Sequence, residues 1–159
     1  MIIKMTIISI NKSSRTQYLI EQLLKIWETS VWATHLFLSE KEIINIRSYV
    51  PQALQKVAIL IITTNTQGTP IAFMGIENHK IEMLFVDANE RGKGIGTKLL
   101  QYGIEKYSVN ELRVNEQNSI ARTFYEKNCF QVYNRTDLDE QGQPYPILFM
   151  RLNSWWIKL

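Results

Sequence analysis

Two repeating patterns of apolar residues predict the secondary structure of the chain. Apolar residues spaced three or four apart indicate amphipathic helices, and short runs rich in β-branched residues indicate strands. The predicted strands cover residues 2–10, 57–62, 70–77, 81–86, 111–115, 130–134 and 147–152. The predicted helices cover residues 14–28, 39–50, 94–107 and 120–127. The order of elements is therefore β, α, α, β, β, β, α, β, α, β, β.

Local signals set the ends of the predicted helices. Ser14 and Ser39 each begin a capping box, Ser-x-x-Gln or Ser-x-x-Glu, which marks the first turn of a helix. Asn128 is expected to end the last helix in the left-handed conformation, which asparagine tolerates. The aromatic segment 29–38 has little periodicity, and we interpret it as an irregular connection between the first two helices.

The connections between the strands predict the sheet. The strands between the second and third helices are joined by short turns and are therefore antiparallel. The helix at 94–107 is long enough to be a crossover, so strand 111–115 lies parallel to strand 81–86. The chain 1–159 is then expected to be a single domain of the α/β (α+β) class. Its sheet is mixed and mostly antiparallel, with one parallel pair in the middle.

A basic loop with glycine at positions 92, 94 and 96 links the central predicted strand to its helix. Glycine leaves backbone N–H groups uncovered, and at a helix N-terminus these groups converge with the positive end of the helix dipole. Such a place binds phosphate oxygens. The loop matches neither the Walker A motif nor Gly-x-Gly-x-x-Gly, because residue 97 is threonine. It matches Arg-x-x-Gly-x-Gly from Arg91 to Gly96, and Lys93 and Lys98 add positive charge.

Composition narrows the possible functions. The 159 residues are 45% hydrophobic and 21% charged, which is typical of a globular domain. A formal net charge of +3 suits an anionic ligand but is too small to argue for nucleic-acid binding. One cysteine excludes an internal disulfide, and two histidines argue against a zinc site. Neither a membrane span nor a signal-peptide pattern is visible, so we expect a cytoplasmic protein without a membrane partner.

Two motifs together resemble those of the GNAT superfamily of acetyl-CoA-dependent N-acetyltransferases. The first is the loop from Arg91 to Gly96, which resembles the pyrophosphate-binding loop of that family. The second begins at Asn118 and contains the aromatic–tyrosine pair Phe124-Tyr125, followed by a turn into Phe130. Three further segments resemble the YjaB-type bacterial N-acetyltransferases: Ala33-Thr34-His35, Val114-Asn115-Glu116-Gln117-Asn118 and Gly142-Gln143-Pro144-Tyr145-Pro146.

The resemblance implies a cofactor and a place for it. The two parallel strands would splay apart, with helices on both faces of the sheet and acetyl-CoA (coenzyme A) in the gap, without a metal. Pantetheine and the acetyl carbonyl would contact Leu84, Phe85 and Val86. Asn118 would bind the pantetheine or phosphate end, and Tyr125 would lie near the thioester sulfur. The residues expected to bind the pyrophosphate are Arg91, Gly92, Lys93, Gly94, Ile95 and Gly96, and Thr97 is a further residue expected to bind the cofactor.

Acetyl transfer to an amine needs a neutral amine, a polarised carbonyl and a proton for the leaving thiolate. A backbone N–H of Val86 or its neighbour is a candidate for stabilising the oxyanion. Tyr125 is the candidate acid, because tyrosine with its ordinary pKa of about 10 is protonated at pH 7; a core tyrosine is the alternative. Three candidates for the base stay open: Glu82, expected on the face of its strand that carries Leu84; His35; and water.

These observations favour an enzyme that transfers an acetyl group directly from acetyl-CoA to a primary amine of a small molecule or peptide. The alternative is a non-catalytic acyl-CoA-binding module, and nucleic-acid binding has only charge in its favour. The candidates for an aromatic wall around the acceptor are Trp27, Trp32, Phe37 and Tyr145. The tail with Trp155 and Trp156 is expected to pack on the core or on a second subunit of a homodimer.

Overall fold

The computed structural model of the chain describes residues 5–153. Within this part, the strands are β1 (Thr6–Ser9), β2 (Ile59–Thr64), β3 (Pro70–Glu77), β4 (Lys80–Val86), β5 (Glu111–Asn115), β6 (Phe130–Thr136) and β7 (Ile147–Leu152). The α-helices are α1 (Gln17–Thr34), α2 (Glu40–Arg47), α3 (Val50–Lys56), α4 (Ile95–Tyr107) and α5 (Ser119–Lys127). Each predicted strand therefore overlaps an observed one. The predictions for Trp155 and Trp156 fall outside the described residues.

The strands form one mixed sheet with the order β1-β2-β3-β4-β5-β7-β6. Neighbouring strands are antiparallel except for β4 and β5, which are parallel, as the crossover helix α4 predicts. In the described chain, β4 and β5 pair through two positions, Lys80 with Glu111 and Ile81 with Leu112. Beyond these pairs the two strands diverge, so residues 82–86 of β4 have no strand beside them on the β5 side.

Helices pack on both faces of the sheet. Successive side chains of a strand point to opposite faces, so the apolar residues of the central strands make both faces apolar. Helices α4 and α5 cover one face, whose core includes Met74, Leu99, Leu100, Tyr125 and Met150. Helices α1, α2 and α3 cover the β1–β4 half of the other face, whose core includes Leu23, Trp27, Ile43, Leu54 and Phe73. The splayed ends of β4 and β5 therefore lie between helices from the two layers.

The start and end of α1 differ from the sequence prediction. Its N-cap is Thr16, whose hydroxyl accepts a hydrogen bond from the Leu19 N–H at 3.2 Å, so the predicted capping box at Ser14 is wrong. The helix also continues through Thr34, and the first part of the segment predicted to be irregular is helical. The second capping box is confirmed, because the Ser39 and Glu42 side chains each bond to the other's backbone N–H.

Two further features of the helices differ from the sequence prediction. The second predicted helix does end before Pro51, but the chain then starts a new helix, α3, with this proline in its first turn, where a missing N–H costs little. At the end of α5, Asn128 has a φ of −101°. The left-handed residue is Cys129, with a φ of +70°. Thus the chain reverses one residue later than the asparagine suggests.

The buried hydroxyl of Thr63 in β2 provides a test of the packing. Its Oγ1 is buried and has no hydrogen-bonding partner among the described residues. Since an unsatisfied buried hydroxyl is costly, Thr63→Val is expected to raise the free energy of unfolding by about 1 kcal/mol in urea denaturation. The adjacent Thr64 is the matched control, because its hydroxyl donates to the Thr6 carbonyl at 3.5 Å. A Thr63→Val protein no more stable than Thr64→Val would contradict this description of the core.

Candidate active site

A cavity of about 370 Å³ opens where β4 and β5 diverge. Four parts of the fold contribute to it: the end of α1, the end of β4, the loop leading into α4, and the first turns of α5. The residues that line it are Ser30, Thr34, His35, Leu84, Phe85, Val86, Glu90, Arg91, Gly92, Gly94, Ile95, Gly96, Thr97, Asn118, Ile120, Ala121, Phe124 and Tyr125. Segments far apart in sequence therefore meet at one concave site.

The glycine loop presents the N-terminus of α4 to this cavity. Gly94 is the N-cap residue and has a φ of +77°, a conformation that favours glycine. No side chain caps the helix, and its first turn has no acidic residue. A Cβ added at Gly92 or Gly94 would meet no atom within 4 Å, so both glycines border open space. The first N–H groups of α4 are thus available to an anionic ligand at the positive end of the helix dipole.

Two cationic side chains of the loop have different surroundings. Arg91 lines the cavity, and its Nη2 donates a hydrogen bond to the Ser30 hydroxyl in α1 at 3.2 Å. Lys93 is not among the lining residues, and its Nζ forms an ion pair with Glu90 at 2.7 Å. Arg91 is therefore the cation of the loop that the fold directs into the site.

Asn118 closes the opposite side of the cavity at the start of α5. It is the N-cap residue, and its Oδ1 accepts a hydrogen bond from the Ala121 N–H at 3.1 Å. The side chain is almost fully buried, with 9% exposed. Its Nδ2 lies 3.5 Å from Nε2 of His35, which also lines the cavity.

Tyr125 lies two turns further along α5, with its ring packed edge-on against Phe124 and Phe130. It lines the cavity, and its hydroxyl has no hydrogen-bonding partner among residues 5–153. Burial raises the pKa of this phenol above its ordinary value of 10.0. The hydroxyl therefore keeps its proton at neutral pH and is free to donate it to a group inside the cavity.

His35 follows the last residue of α1 and also lines the cavity. Burial, the larger cause, and the positive charge of Arg91 together lower its pKa from 6.5 to about 4. The ring is therefore neutral at pH 7. The Thr34 hydroxyl lies 2.7 Å from the Ser30 carbonyl, to which it donates. It lies 2.9 Å from Nδ1 of His35, which must then be the donor in that contact. This leaves Nε2 of His35 unprotonated on the side of Asn118.

Glu82 lies outside the cavity. A bulge in β4 places Gly75 of β3 opposite Met83 and Ile76 opposite Ile81, so Glu82 is the extra residue. Ile81 consequently packs on the same face as Leu84, because the extra residue interrupts the regular alternation of β4. The Glu82 side chain is exposed at the splay. Burial of part of the carboxyl raises its pKa, and nearby Arg113 opposes the rise.

A row of aromatic rings leads from the cavity toward the loop between β6 and β7. The ring centroid of His35 lies 6.5 Å from that of Phe85 and 5.4 Å from that of Phe37. Phe37 in turn lies 6.1 Å from Tyr145, whose hydroxyl donates a hydrogen bond to Glu42. Hydrogen bonds from Tyr145 and Ser39 lower the pKa of Glu42, which is therefore anionic at neutral pH. The row therefore ends at a carboxylate.

The cavity brings together most of the predicted site residues. The exceptions are Lys93 and Glu82. None of the four residues of the predicted aromatic wall lines the cavity, because Trp27 belongs to the core, Trp32 is exposed, and Phe37 and Tyr145 lie in the aromatic row beside it. Sequence reasoning missed Ser30 and Thr34, two hydroxyls one helical turn apart. Their i, i+4 spacing was the available signal in the sequence. This spacing indicates a shared helix face only if α1 extends to Thr34.

Two kinds of feature are absent from the described residues. No group of three or more His, Cys, Asp and Glu side chains is placed to hold a metal ion in this part of the chain. No helix between residues 5 and 153 is both long and apolar enough to span a membrane.

The family model and the curated relatives that match this chain agree on one family. A family model described as an acetyltransferase (GNAT) domain matches residues 39–144. Peptidyl-lysine N-acetyltransferase YjaB of Escherichia coli strain K12 is 37% identical over 147 residues, which cover 89% of this chain and 95% of that protein. The protein of the same name from Salmonella typhimurium is 36% identical over 128 residues, covering 80% and 88%.

Solved structures show the same fold. The solution structure of apo-form YjaB from Escherichia coli has a TM-score of 0.81 with this chain at 31% identity, covering 93% of this chain and 97% of that one. A PaiA N-acetyltransferase from Thermoplasma acidophilum, crystallised in complex with coenzyme A, has a TM-score of 0.66 at 22% identity, covering 94% and 99%. The similarity to the PaiA structure shows only that the fold is shared.

Proposed function

The chain belongs to the GNAT family and is an N-acetyltransferase, and we propose that it acetylates the ε-amine of lysine residues in peptides or proteins. The observation that carries the proposal is the cavity at the splay, which joins a helix N-terminus suited to phosphate to a buried tyrosine hydroxyl. The curated relatives, which are named peptidyl-lysine N-acetyltransferases, support the choice of acceptor.

We propose that acetyl-CoA binds along this cavity, because the residues present fit it. The glycine positions leave room for a diphosphate against the backbone N–H groups of residues 92–97, and Arg91 adds a positive charge. Lys93 would contribute only after leaving its ion pair with Glu90. The edge of residues 84–86 has no strand beside it toward β5, so its backbone groups are free to bind the amides of pantetheine. Asn118 lies on the opposite wall.

Acetyl-CoA supplies the acetyl group in activated form, as a thioester. A backbone N–H of Val86 or its neighbour is proposed to donate to the carbonyl oxygen as negative charge develops there. The lysine nitrogen forms the new C–N bond, the C–S bond breaks, and the Tyr125 hydroxyl gives its proton to the departing sulfur. The proton that the nitrogen loses as the amide forms restores the Tyr125 hydroxyl. The raised pKa of Tyr125 keeps this proton in place at neutral pH until the sulfur takes it.

The acceptor must lose a proton before it attacks, and we propose that Glu82 receives this proton through water. The raised pKa of Glu82 makes the carboxylate a better base than an ordinary one, and its position outside the cavity requires the bridging water. His35 is less suited, because a pKa of about 4 makes its neutral ring a weak proton acceptor. Its role in the proposal is to orient Asn118 through Nε2.

The aromatic row supports a lysine acceptor. A lysine side chain has a slender apolar stem and a cationic tip, and aromatic faces attract both. Glu42 lies at the outer end of the row and attracts the ammonium group, while His35 and Phe85 lie at the inner end, beside the cavity. The row thus offers a path from the surface to the thioester.

The proposal is tested by incubating the protein with acetyl-CoA and a lysine-containing peptide whose N-terminus is blocked. Mass spectrometry is expected to show one acetyl group on the lysine, with release of one equivalent of free thiol. The matched peptide with norleucine in place of lysine should gain nothing. Acetyl-CoA binding without acetylation of any lysine peptide, together with activity on another amine, would contradict the proposed acceptor.

A further inference from the structure

The last two turns of α1 carry polar side chains on a helix that is otherwise apolar on its inner side. Ser30 is buried, with 3% exposed, although its neighbours Trp27 and Val31 belong to the hydrophobic core. Ser30 and Thr34 both line the cavity. A buried hydroxyl in such a place is costly unless it has a partner, so what Ser30 binds is informative.

Consecutive hydroxyls of α1 hold the loop that leads into α4. The Thr29 hydroxyl accepts a hydrogen bond from the Ala88 N–H at 3.5 Å, at the start of the 3₁₀ turn Ala88–Glu90. The Ser30 hydroxyl accepts one from Nη2 of Arg91 at 3.2 Å, immediately after that turn. The first contact fixes the backbone of the loop and the second fixes the guanidinium that enters the cavity.

We propose that Ser30 is a positioning residue that holds the Arg91 guanidinium in the cavity in the orientation that binds the diphosphate of coenzyme A. This inference rests on the proposed function, which places the diphosphate beside Arg91. Arginine has many rotamers when its side chain is exposed, as that of Arg91 is. A ligand that finds the guanidinium already oriented loses less conformational entropy on binding.

The geometry explains why a serine serves this purpose. Its hydroxyl is short, neutral and held by a helix, so it accepts one N–H and leaves the other guanidinium donors free for phosphate oxygens. A carboxylate at the same position would pair with Arg91 and neutralise the charge that the ligand needs. Acidic side chains are also absent from the first turn of α4, so nothing there competes with the ligand.

The test compares two ligands and four proteins. Calorimetry or NMR titration gives the Kd of coenzyme A and of pantetheine, which lacks the diphosphate, for wild type, Ser30→Ala, Arg91→Ala and the double variant. Ser30→Ala is expected to raise the Kd of coenzyme A about fivefold and to change that of pantetheine less than twofold. In the Arg91→Ala background, Ser30→Ala should have no further effect, because the group that it positions is gone.

Two controls separate this inference from folding and from the proposed site. Ser48→Ala removes another helix-terminal hydroxyl, which donates to the Asn45 carbonyl, and should leave both Kd values unchanged. Ser30→Thr keeps the hydroxyl and should keep coenzyme A binding, so a loss in Ser30→Ala alone is not a loss of fold. If Arg91→Ala weakens coenzyme A but Ser30→Ala does not, or tightens it, the inference is overturned. If Arg91→Ala also has no effect, the proposed diphosphate site fails as well.

Discussion

Replacing Tyr125 with phenylalanine is expected to lower the turnover number by about 100-fold while the Kd of acetyl-CoA changes less than twofold. The magnitude is that of losing a positioned general acid. The ring remains packed between Phe124 and Phe130, so the shape of the cavity is kept. The hydroxyl has no hydrogen-bonding partner among the described residues, so its removal should not lower the melting temperature.

The measurement is steady-state thiol release with a lysine peptide, together with calorimetry of acetyl-CoA binding. Tyr133→Phe is the matched control, because that hydroxyl lies near Glu111 on the far side of the sheet from α5 and outside the cavity. The burial that raises the pKa of Tyr125 adds a second expectation, that the rate shows no fall near pH 10 from loss of this proton. Unchanged turnover in Tyr125→Phe would remove Tyr125 from the mechanism.

Replacing Arg15 with methionine is expected to cost about 3 kcal/mol in the free energy of unfolding, the largest effect we expect on stability. Arg15 is buried, with 4% exposed. Its Nη1 donates to the carbonyls of Leu54, Gln55 and Val57 at 3.1, 3.0 and 2.6 Å, at the end of α3. These carbonyls come at a helix C-terminus, where a cation is favourable, and methionine would leave them without a donor.

Urea unfolding of the wild type, Arg15→Met and Arg47→Met tests this expectation. Arg47 is the control because its guanidinium is exposed and pairs with Glu28 at 3.2 Å, a surface ion pair of about 0–1 kcal/mol. Arg15→Lys should fall between Arg15→Met and wild type, since an ammonium group keeps the charge but has three N–H donors for the five carbonyls that the guanidinium contacts. Equal stabilities of Arg15→Met and Arg47→Met would show that the buried hydrogen bonds contribute no more than a surface pair.

The parts of the fold that sequence predicts well are those in which local pattern and burial agree. The β-branched run of β2 and the glycine loop before α4 are examples, because each is specified by residues adjacent in the chain. Together with the crossover rule they predict the parallel pair of β4 and β5, while the gap between these strands was implied only by the family resemblance.

The end of α1 could not be predicted in this way. Ser30 and Thr34 interrupt its apolar stripe because this part of the helix borders the cavity rather than the core. A polar residue whose hydrogen-bonding partner lies in a distant loop looks the same, in the sequence alone, as a residue that ends a helix. The partner of Ser30 is Arg91, 61 residues later.

Glu82 and Arg15 illustrate the same difficulty for charged residues. The alternation of β4 predicts the face of Glu82 only if the strand is regular, and the bulge opposite Gly75 and Ile76 has no local signature. Arg15 is a cation near a helix start, a position that is usually exposed, yet its acceptors are carbonyls about 40 residues away. In both cases the controlling contact is made by the assembled fold.

The central claim is that backbone N–H groups at the start of α4 bind the diphosphate and so direct the thioester into the gap between β4 and β5. A crystal structure of the protein with acetyl-CoA tests it most directly. The account predicts diphosphate oxygens within about 3.2 Å of backbone nitrogens in residues 92–97. It also predicts that the acetyl carbonyl lies beside Val86 and the sulfur beside the Tyr125 hydroxyl. A nucleotide bound elsewhere on the surface, with this cavity filled only by solvent, would contradict the account.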